Sequence, residues 1–338
     1  MLHSELPRVT NLYIIIKDIL RIFHMFDDHP RTAPADFASH INERFEIWRI
    51  VLGLFLVGTL WLGVALGLGF LTATFFPEFH GEAYVSAVGL GHSPMALAGL
   101  FVTFLPVWFA LALVLPLVHR RTPLALLGPS QLVNWQQFFT AAKVVLVLAF
   151  GFEVLFQIPA LLLDLPLYNA HMALDLPQWA LWLLPMLLLL FVQIGAEELL
   201  FRGYLLQMIR ARGGGFWLSI ALPSLAFGLL HYSPATYGQN AFLVVAATTA
   251  LGILLCKVTL RTGNLGAALG IHFANNLTVM FLLGIDGNMN GMALFSTKAD
   301  LSSPLMSGNL ILMIILMLAV YRIWARRMDN ARSLRDVL

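Results

Sequence analysis

The segment FVQIGAEELLFRGYLLQMIR, residues 191–210, places three ionisable side chains inside an otherwise apolar run. Glu197, Glu198 and Arg202 lie in a predicted helix that is long enough to cross a bilayer. Ionised groups at such a depth are energetically expensive unless they are paired or face a wet cavity. The segment therefore predicts a functional site, and the rest of the chain has to bury, pair and use these charges.

The composition indicates a polytopic membrane protein. Hydrophobic residues make up 59% and charged residues 11% of 338 positions, and the mean hydropathy is +0.82. Soluble domains average about 45–50% apolar and about 25% charged residues. Because the chain has too few charges to cover a soluble surface, a soluble globular enzyme is excluded. We expect the lipid bilayer as a partner and no nucleic acid.

Eight apolar runs follow a polar N-terminal segment, and each approaches or exceeds the roughly 20 residues that cross a bilayer. We predict an all-α membrane helix bundle with about eight transmembrane helices. The runs are residues 48–75, 95–118, 139–163, 179–209, 215–231, 241–260, 264–284 and 308–325.

The chain divides into four predicted regions. Residues 1–45 form an N-terminal segment whose run TNLYIIIKDILRIFHMF predicts an amphipathic helix in the membrane interface. Residues 46–178 carry the first three spans, and residues 179–285 carry four spans and the polar residues described below. Residues 286–338 hold the last span and a basic tail.

The distribution of Lys and Arg predicts the orientation. These residues concentrate in the N-terminal segment, in or beside the loops after spans two, four and six, and in the C-terminal tail. The intervening loops have none or one, which places both termini in the cytoplasm of a cell (inner) membrane protein. Span four, from Trp179 to Arg210, is about 46 Å long and exceeds the hydrocarbon thickness. Its cytoplasmic end is expected to project, so the acidic cluster lies nearer the cytoplasmic side.

Polar residues in spans four, five and seven form a coherent set. A spacing of four puts Glu198 and Arg202 on one helix face, where they can pair. The adjacent Glu197 points about 100° away and can serve a different partner. Counted from the cytoplasmic loops, Glu197, His231 and His272 fall within one band about 8 Å deep. Span seven also carries Asn275, and the predicted site residues are Glu197, Glu198, Arg202, His231, His272 and Asn276.

The chemistry of this set is that of a carboxylate with imidazoles. A glutamate in a low-dielectric cavity suits a general base acting on water, and a neighbouring histidine can share that water. The amide of Asn276 can stabilise an oxyanion. The set therefore describes a hydrolase acting on an amide bond, and the preferred interpretation requires no cofactor. Two histidines and a glutamate are also a zinc set, so a metal, if present, would be held by Glu197, His231 and His272.

Three motifs on successive predicted helices resemble those of the CPBP family. This family comprises CAAX prenyl endopeptidases and bacteriocin-processing or immunity proteins, also called the Abi family of glutamic-type intramembrane proteases. The resemblance covers roughly residues 180–285. The motifs are Glu197-Glu198-x-x-x-Arg202, Phe227-x-x-x-His231 and His272-x-x-x-Asn276.

The resemblance implies an intramembrane endopeptidase that cuts a membrane-associated protein or peptide. By the same resemblance, Glu197 and His231 would activate the water. His272 and Asn276 would stabilise the oxyanion, with Glu198 and Arg202 in support. The resemblance leaves open which substrate is cut, whether that substrate is prenylated, and whether zinc is used as in a metalloendopeptidase.

Two other classes of function remain open. The same charges could form the path of an ion- or proton-coupled transporter. A non-catalytic immunity or scaffold member of the family could instead keep them for binding. Glu153 is a further mid-span acid that could pair with Arg202 or another donor.

Overall fold

The structure is a computed structural model that describes residues 37–38, 44–75, 91–162 and 170–337. The predicted interfacial helix of the N-terminal segment lies outside the described residues. The side chain of Glu153 lies outside them as well.

The described residues form apolar helices at the positions of all the predicted spans. Six of them, α1–α4, α6 and α8, are long and apolar enough to cross a membrane, and α5 and α7 are shorter. The prediction of a polytopic helical membrane protein is thus confirmed. In chain order the helices are α1 (Ile47–Phe75), α2 (Pro94–His119), α3 (Trp135–Leu162), α4 (Leu176–Ala211), α5 (Trp217–Leu229), α6 (Ala241–Thr262), α7 (Gly266–Leu282) and α8 (Pro304–Val337).

The two short helices have fewer than the roughly 20 residues that cross a bilayer. Helix α5 covers about 20 Å, because three glycines precede it and the chain turns away after Leu229. Helix α7 ends at Leu282, where the apolar run continues as a strand. Apolar content therefore extends beyond the helical part of both runs.

Helix boundaries follow local sequence signals. The Ser93 side chain caps α2 by accepting from the backbone N–H of Ala96 at 3.2 Å. Asp175 caps α4 in the same way, accepting from the backbone N–H of Gln178 at 2.8 Å. Gly263, with a φ of 67°, ends α6 in the left-handed conformation that glycine tolerates.

The sequence does not indicate the small three-stranded sheet, whose strands lie in the predicted loops and at the end of a predicted span. Its strands are β1 (His171–Met172), β2 (Leu283–Ile285) and β3 (Phe295–Thr297), in the order β1-β3-β2. Strand β1 is antiparallel and β2 parallel to β3. Since β1 precedes α4 and β2 follows α7, the sheet joins the ends of these two helices.

Helix α4 packs closely against its neighbours at two glycines. A Cβ on Gly195 would lie 2.4 Å from the Trp108 ring of α2, and a Cβ on Gly203 would lie 3.0 Å from Leu126. The indole N–H of Trp108 donates to the carbonyl of Val192 at 2.9 Å. Small residues thus let the backbone of α4 approach α2 beside the acidic cluster.

A buried polar network joins the start of α1 to α2 and α4. The Nδ1 of His119 bonds the carbonyl of Arg44 at 2.7 Å, and its Nε2 bonds the Tyr204 hydroxyl at 2.9 Å. A carbonyl only accepts, so Nδ1 carries the proton and Nε2 accepts from Tyr204. His119 and Tyr204 are buried. The network therefore links α4 to α2 and to the start of α1.

Candidate active site

The site is built where α4 changes from α-helix to π-helix. The α-helical part is Leu176–Glu198, and the π-helical part is Leu199–Leu206. The change of pitch falls between Glu198 and Arg202. Local π-helical turns are rare and occur frequently at functional sites.

Glu198 is fully buried and has two partners. Its Oε1 accepts from Nη1 of Arg202 at 2.8 Å and from Nδ1 of His272 at 2.7 Å. Arg202 is also fully buried, and its Nη2 donates to the carbonyl of Gly252 at 3.5 Å. The structure thus contains the Glu198–Arg202 pair that the spacing predicts. Removing one member of a buried pair would leave an uncompensated charge.

Glu197 is the acid that faces open space. Its side chain is 16% exposed, and its Oε2 lies 3.5 Å from Nε2 of His272. His272 therefore lies between the two glutamates, with one ring nitrogen toward each. The two acids differ in one partner only. Arg202 contacts Glu198 alone, whereas His272 contacts both acids.

Hydrogen bonds assign the protonated nitrogen of each histidine. A carboxylate accepts, so the Nδ1 of His272 donates to Glu198. The Nδ1 of His231 lies 2.9 Å from the carbonyl of Phe227, which also only accepts. In the neutral His231 ring, Nε2 therefore keeps its lone pair. Such a nitrogen can accept a proton from water.

Phe227 is the contact through which His231 joins the cluster. Its ring centroid lies 4.9 Å from that of His231 and 6.0 Å from that of His272. The Arg202 guanidinium carbon lies 4.8 Å from the Phe227 ring centroid, in a cation–π arrangement. The apolar residue of the second motif thus packs against members of all three motifs.

Gln193 is a site residue that sequence reasoning missed. Its Oε1 accepts from Nδ2 of Asn276 at 3.1 Å, and Oδ1 of Asn276 accepts from Nδ2 of Asn275 at 3.1 Å. The available signal was its position four residues before Glu197, on the same face of an apolar helix.

A cavity of about 1530 Å³ opens on one side of this cluster. Its walls come mainly from apolar side chains of α1, α2, α3, α6, α7 and α8. Glu198 and Arg202 lie behind the wall and do not line the cavity. The predicted residues that do line it are Glu197, His231, His272 and Asn276, joined by Gln193 and Asn275.

The residues present do not form a metal-ligand set in this geometry. Within the ranges that the structure describes, no group of three or more His, Cys, Asp or Glu side chains is placed to hold a metal ion. Both ring nitrogens of His272 face carboxylates, and Nδ1 of His231 is occupied by a carbonyl. The set Glu197, His231 and His272 stays a prediction.

Apolar helices around an enclosed cluster of Glu, Arg, His and Asn define a multi-pass helical membrane protein with a buried polar site. Residues 178–278 match the family model described as type II CAAX prenyl endopeptidase Rce1-like. The matched segment is under a third of the chain and contains every residue of the predicted set. The resemblance predicted from the three motifs is thus confirmed over this segment, and it supports a membrane protease-like role.

One curated relative is the uncharacterized protein YyaK of Bacillus subtilis (strain 168). It is 28% identical over 177 residues, which cover 51% of this chain and 54% of the relative. The match thus spans about half the length of the relative. No solved structure matches the chain.

Proposed function

We propose that the chain is an intramembrane endopeptidase that hydrolyses a peptide bond of a membrane-associated protein or peptide. The observation that carries this proposal is the contrast between two adjacent acids. Glu198 is neutralised by Arg202 and buried, whereas Glu197 faces the cavity next to an imidazole. One acid holds the cluster together, and the other is free to act on water.

The reaction follows from the atoms that face the cavity. Glu197 removes a proton from a water molecule, whose oxygen attacks the carbonyl carbon of the peptide bond. Nε2 of His231 accepts a hydrogen bond from the same water and orients it. The N–H of Asn276 that is not bonded to Gln193 donates to the oxyanion of the tetrahedral intermediate. The proton on Glu197 then passes to the amine nitrogen as the C–N bond breaks.

His272 and the buried pair position these groups. Glu198 holds Nδ1 of His272, which keeps the ring beside Glu197. Asn276 follows His272 by one helical turn and therefore lies on the same face of α7. Positive charge on or near His272 would also help to stabilise the oxyanion. Arg202 holds the Glu198 side chain in place through the 2.8 Å ion pair.

The cavity is proposed to open toward the cytoplasm. Glu197 lies about 21 Å from the Ala211 end of α4 and about 31 Å from its Leu176 end. The Ala211 end leads into the arginine-bearing turn that the positive-inside rule assigns to the cytoplasm. A substrate would then be cut closer to the cytoplasmic face.

The test uses the full chain in lipid nanodiscs, incubated with a mixed library of hydrophobic peptides. Mass spectrometry detects new peptide termini. We expect the unaltered chain to create them, and Glu197→Gln and His231→Ala to lower the rate by about 10²- to 10⁴-fold. Asp300→Asn is the matched control, because Asp300 is another carboxylate on the cavity wall, in the loop before α8.

Wild-type cleavage rates in purified Glu197→Gln would overturn the site assignment. The transporter alternative predicts something different: ion or proton flux in proteoliposomes that Glu197→Gln abolishes, with no new peptide termini. The non-catalytic alternative predicts peptide binding without cleavage in every variant.

A further inference from the structure

Three side-chain amides form a hydrogen-bonded chain along the cavity wall. Asn275 donates to Asn276, and Asn276 donates to Gln193, each across 3.1 Å. All three residues line the cavity. Every donor points the same way, from Asn275 toward Gln193, so the hydrogen bonds polarise one another.

The two ends of this amide chain keep unused polar atoms. In the part of the protein that the structure describes, neither Oδ1 of Asn275 nor Nε2 of Gln193 has a hydrogen-bond partner. Neither is among the polar atoms sealed from solvent. The chain thus ends in an acceptor at Asn275 and a donor at Gln193. Polar atoms in an apolar cavity are costly unless a ligand or water satisfies them.

We propose that the Asn275–Asn276–Gln193 amide chain is the subsite that binds the main chain of an extended peptide. The inference rests on the proposed endopeptidase function. An extended peptide presents an N–H to Asn275 and a C=O to Gln193, as it would to a neighbouring strand. This arrangement also fixes the direction in which the substrate lies.

The subsite places the peptide beside the proposed base. Gln193 and Glu197 are four residues apart on α4, so their Cβ atoms lie about 5–6 Å from each other. A carbonyl oxygen held by Gln193 is therefore within one residue of the bond that Glu197 would hydrolyse. Asn276, in the middle of the chain, keeps one N–H for that bond.

This subsite recognises any peptide sequence, because main-chain amides are common to all of them. Selectivity among side chains is left to the apolar wall, which includes five methionines: Met280, Met289, Met306, Met313 and Met317. Methionine side chains are flexible and adapt to different apolar shapes. We therefore expect loose discrimination among Leu, Ile, Phe and Met in the substrate.

The test measures binding of a fluorescent decapeptide of alternating Ala and Leu to the full chain in nanodiscs. An analogue series replaces one amide at a time by an ester, which removes one N–H. Gln193→Met and Asn275→Leu remove the two ends of the subsite. Gln136→Met is the matched control, because Gln136 lines the same cavity from α3.

We expect Gln193→Met and Asn275→Leu each to raise the Kd about fivefold to tenfold, the worth of one hydrogen bond. Gln136→Met should leave the Kd unchanged. One ester position should weaken binding to the unaltered chain by a similar factor. The same ester should have no further effect on Asn275→Leu, because the acceptor for that N–H is already absent.

Three results would overturn the subsite: no binding of the decapeptide, equal loss in all three variants, or an ester effect that persists in Asn275→Leu. If a variant fails to fold, the ester series on the unaltered chain decides alone, since a uniform response along the peptide contradicts a fixed subsite. Binding with the expected pattern but without cleavage would instead contradict only the proposed endopeptidase function.

Discussion

The Nδ1 of His272 donates to Oε1 of Glu198 across 2.7 Å and so connects α7 to the charged pair on α4. The same imidazole presents Nε2 to Glu197 at 3.5 Å. Two neighbouring acids thereby differ in environment although they differ by only one position in sequence. The difference gives each acid its own expected mutant behaviour.

Glu198→Gln is expected to lower stability. The change leaves the Arg202 guanidinium buried with an uncompensated charge, at a cost of about 3–5 kcal/mol. Glu197→Gln, at a partly exposed position, should change stability little while removing cleavage. Unfolding in mixed detergent micelles measures the first effect, and peptide cleavage measures the second. Equal stabilities for the two variants would contradict the division of roles between these acids.

Gly195→Ala is expected to disturb the site through packing. The new Cβ would lie 2.4 Å from the Trp108 ring, so α4 has to shift, at about 1–3 kcal/mol. Because Glu197 is two residues further on, cleavage should fall as well. Gly151→Ala in α3 is the control: its Cβ would meet open space, and stability should rise by up to about 1 kcal/mol. An unchanged melting temperature in Gly195→Ala would show that α4 can accommodate the methyl group.

Tyr204→Phe is expected to weaken the junction of α1, α2 and α4. It leaves Nε2 of His119 buried without a donor, which costs about 1–3 kcal/mol. Tyr232→Phe is the control, because Tyr232 is 43% exposed. Thermal unfolding of both variants in the same detergent gives the comparison, and a larger loss in Tyr232→Phe would argue against the network as a stabilising element.

The proposed orientation is tested by cysteine labelling in intact cells and in inverted vesicles. Arg212→Cys and Ala173→Cys place exposed thiols at opposite ends of α4. A membrane-impermeant maleimide should reach Arg212→Cys only from the cytoplasmic side and Ala173→Cys only from the other side. The native Cys256 is buried and serves as the internal blank. The reverse pattern would invert the topology.

Metal dependence is tested on purified full chain. If Glu197 activates the water directly, zinc content should be well below one equivalent and a chelator should leave cleavage unchanged. Loss of cleavage on chelation, with recovery on adding zinc but not magnesium, would favour the ligand set Glu197, His231 and His272. The same assay on His231→Ala then separates a ligand from a base, since a lost ligand lowers zinc affinity.

The contacts that could be predicted are those within one helix. A spacing of four brings Glu198 to Arg202 and Phe227 to His231, because residues one turn apart share a face. Counting residues from the loops predicts only that His272 lies at the depth of Glu197, and the structure brings their atoms to 3.5 Å. These predictions depend only on helix geometry and on which loops lie on the same side.

Contacts between helices could not be read in the same way. The sequence does not show which residue a glutamine in an apolar helix contacts. The hydrogen bond from Asn276 to Gln193 therefore becomes visible only once the relative positions of α4 and α7 are known. Strands of two or three residues are too short to show a period of two. The apolar run of α7 also continues into β2, so hydropathy alone could not locate its end.

The small sheet limits how the loops of this protein can change in length. Strand β3 pairs with both β1 and β2, and these lead directly into α4 and out of α7. An insertion between Met172 and Asp175 would uncouple the helix of the glutamates from the helix of His272. An insertion between Thr297 and Pro304 leaves the strand pairing between α4 and α7 intact, since it lies beyond the last strand. Insertions should therefore be excluded between β1 and α4, whereas the loop after β3 is constrained by its place on the cavity wall and not by the sheet.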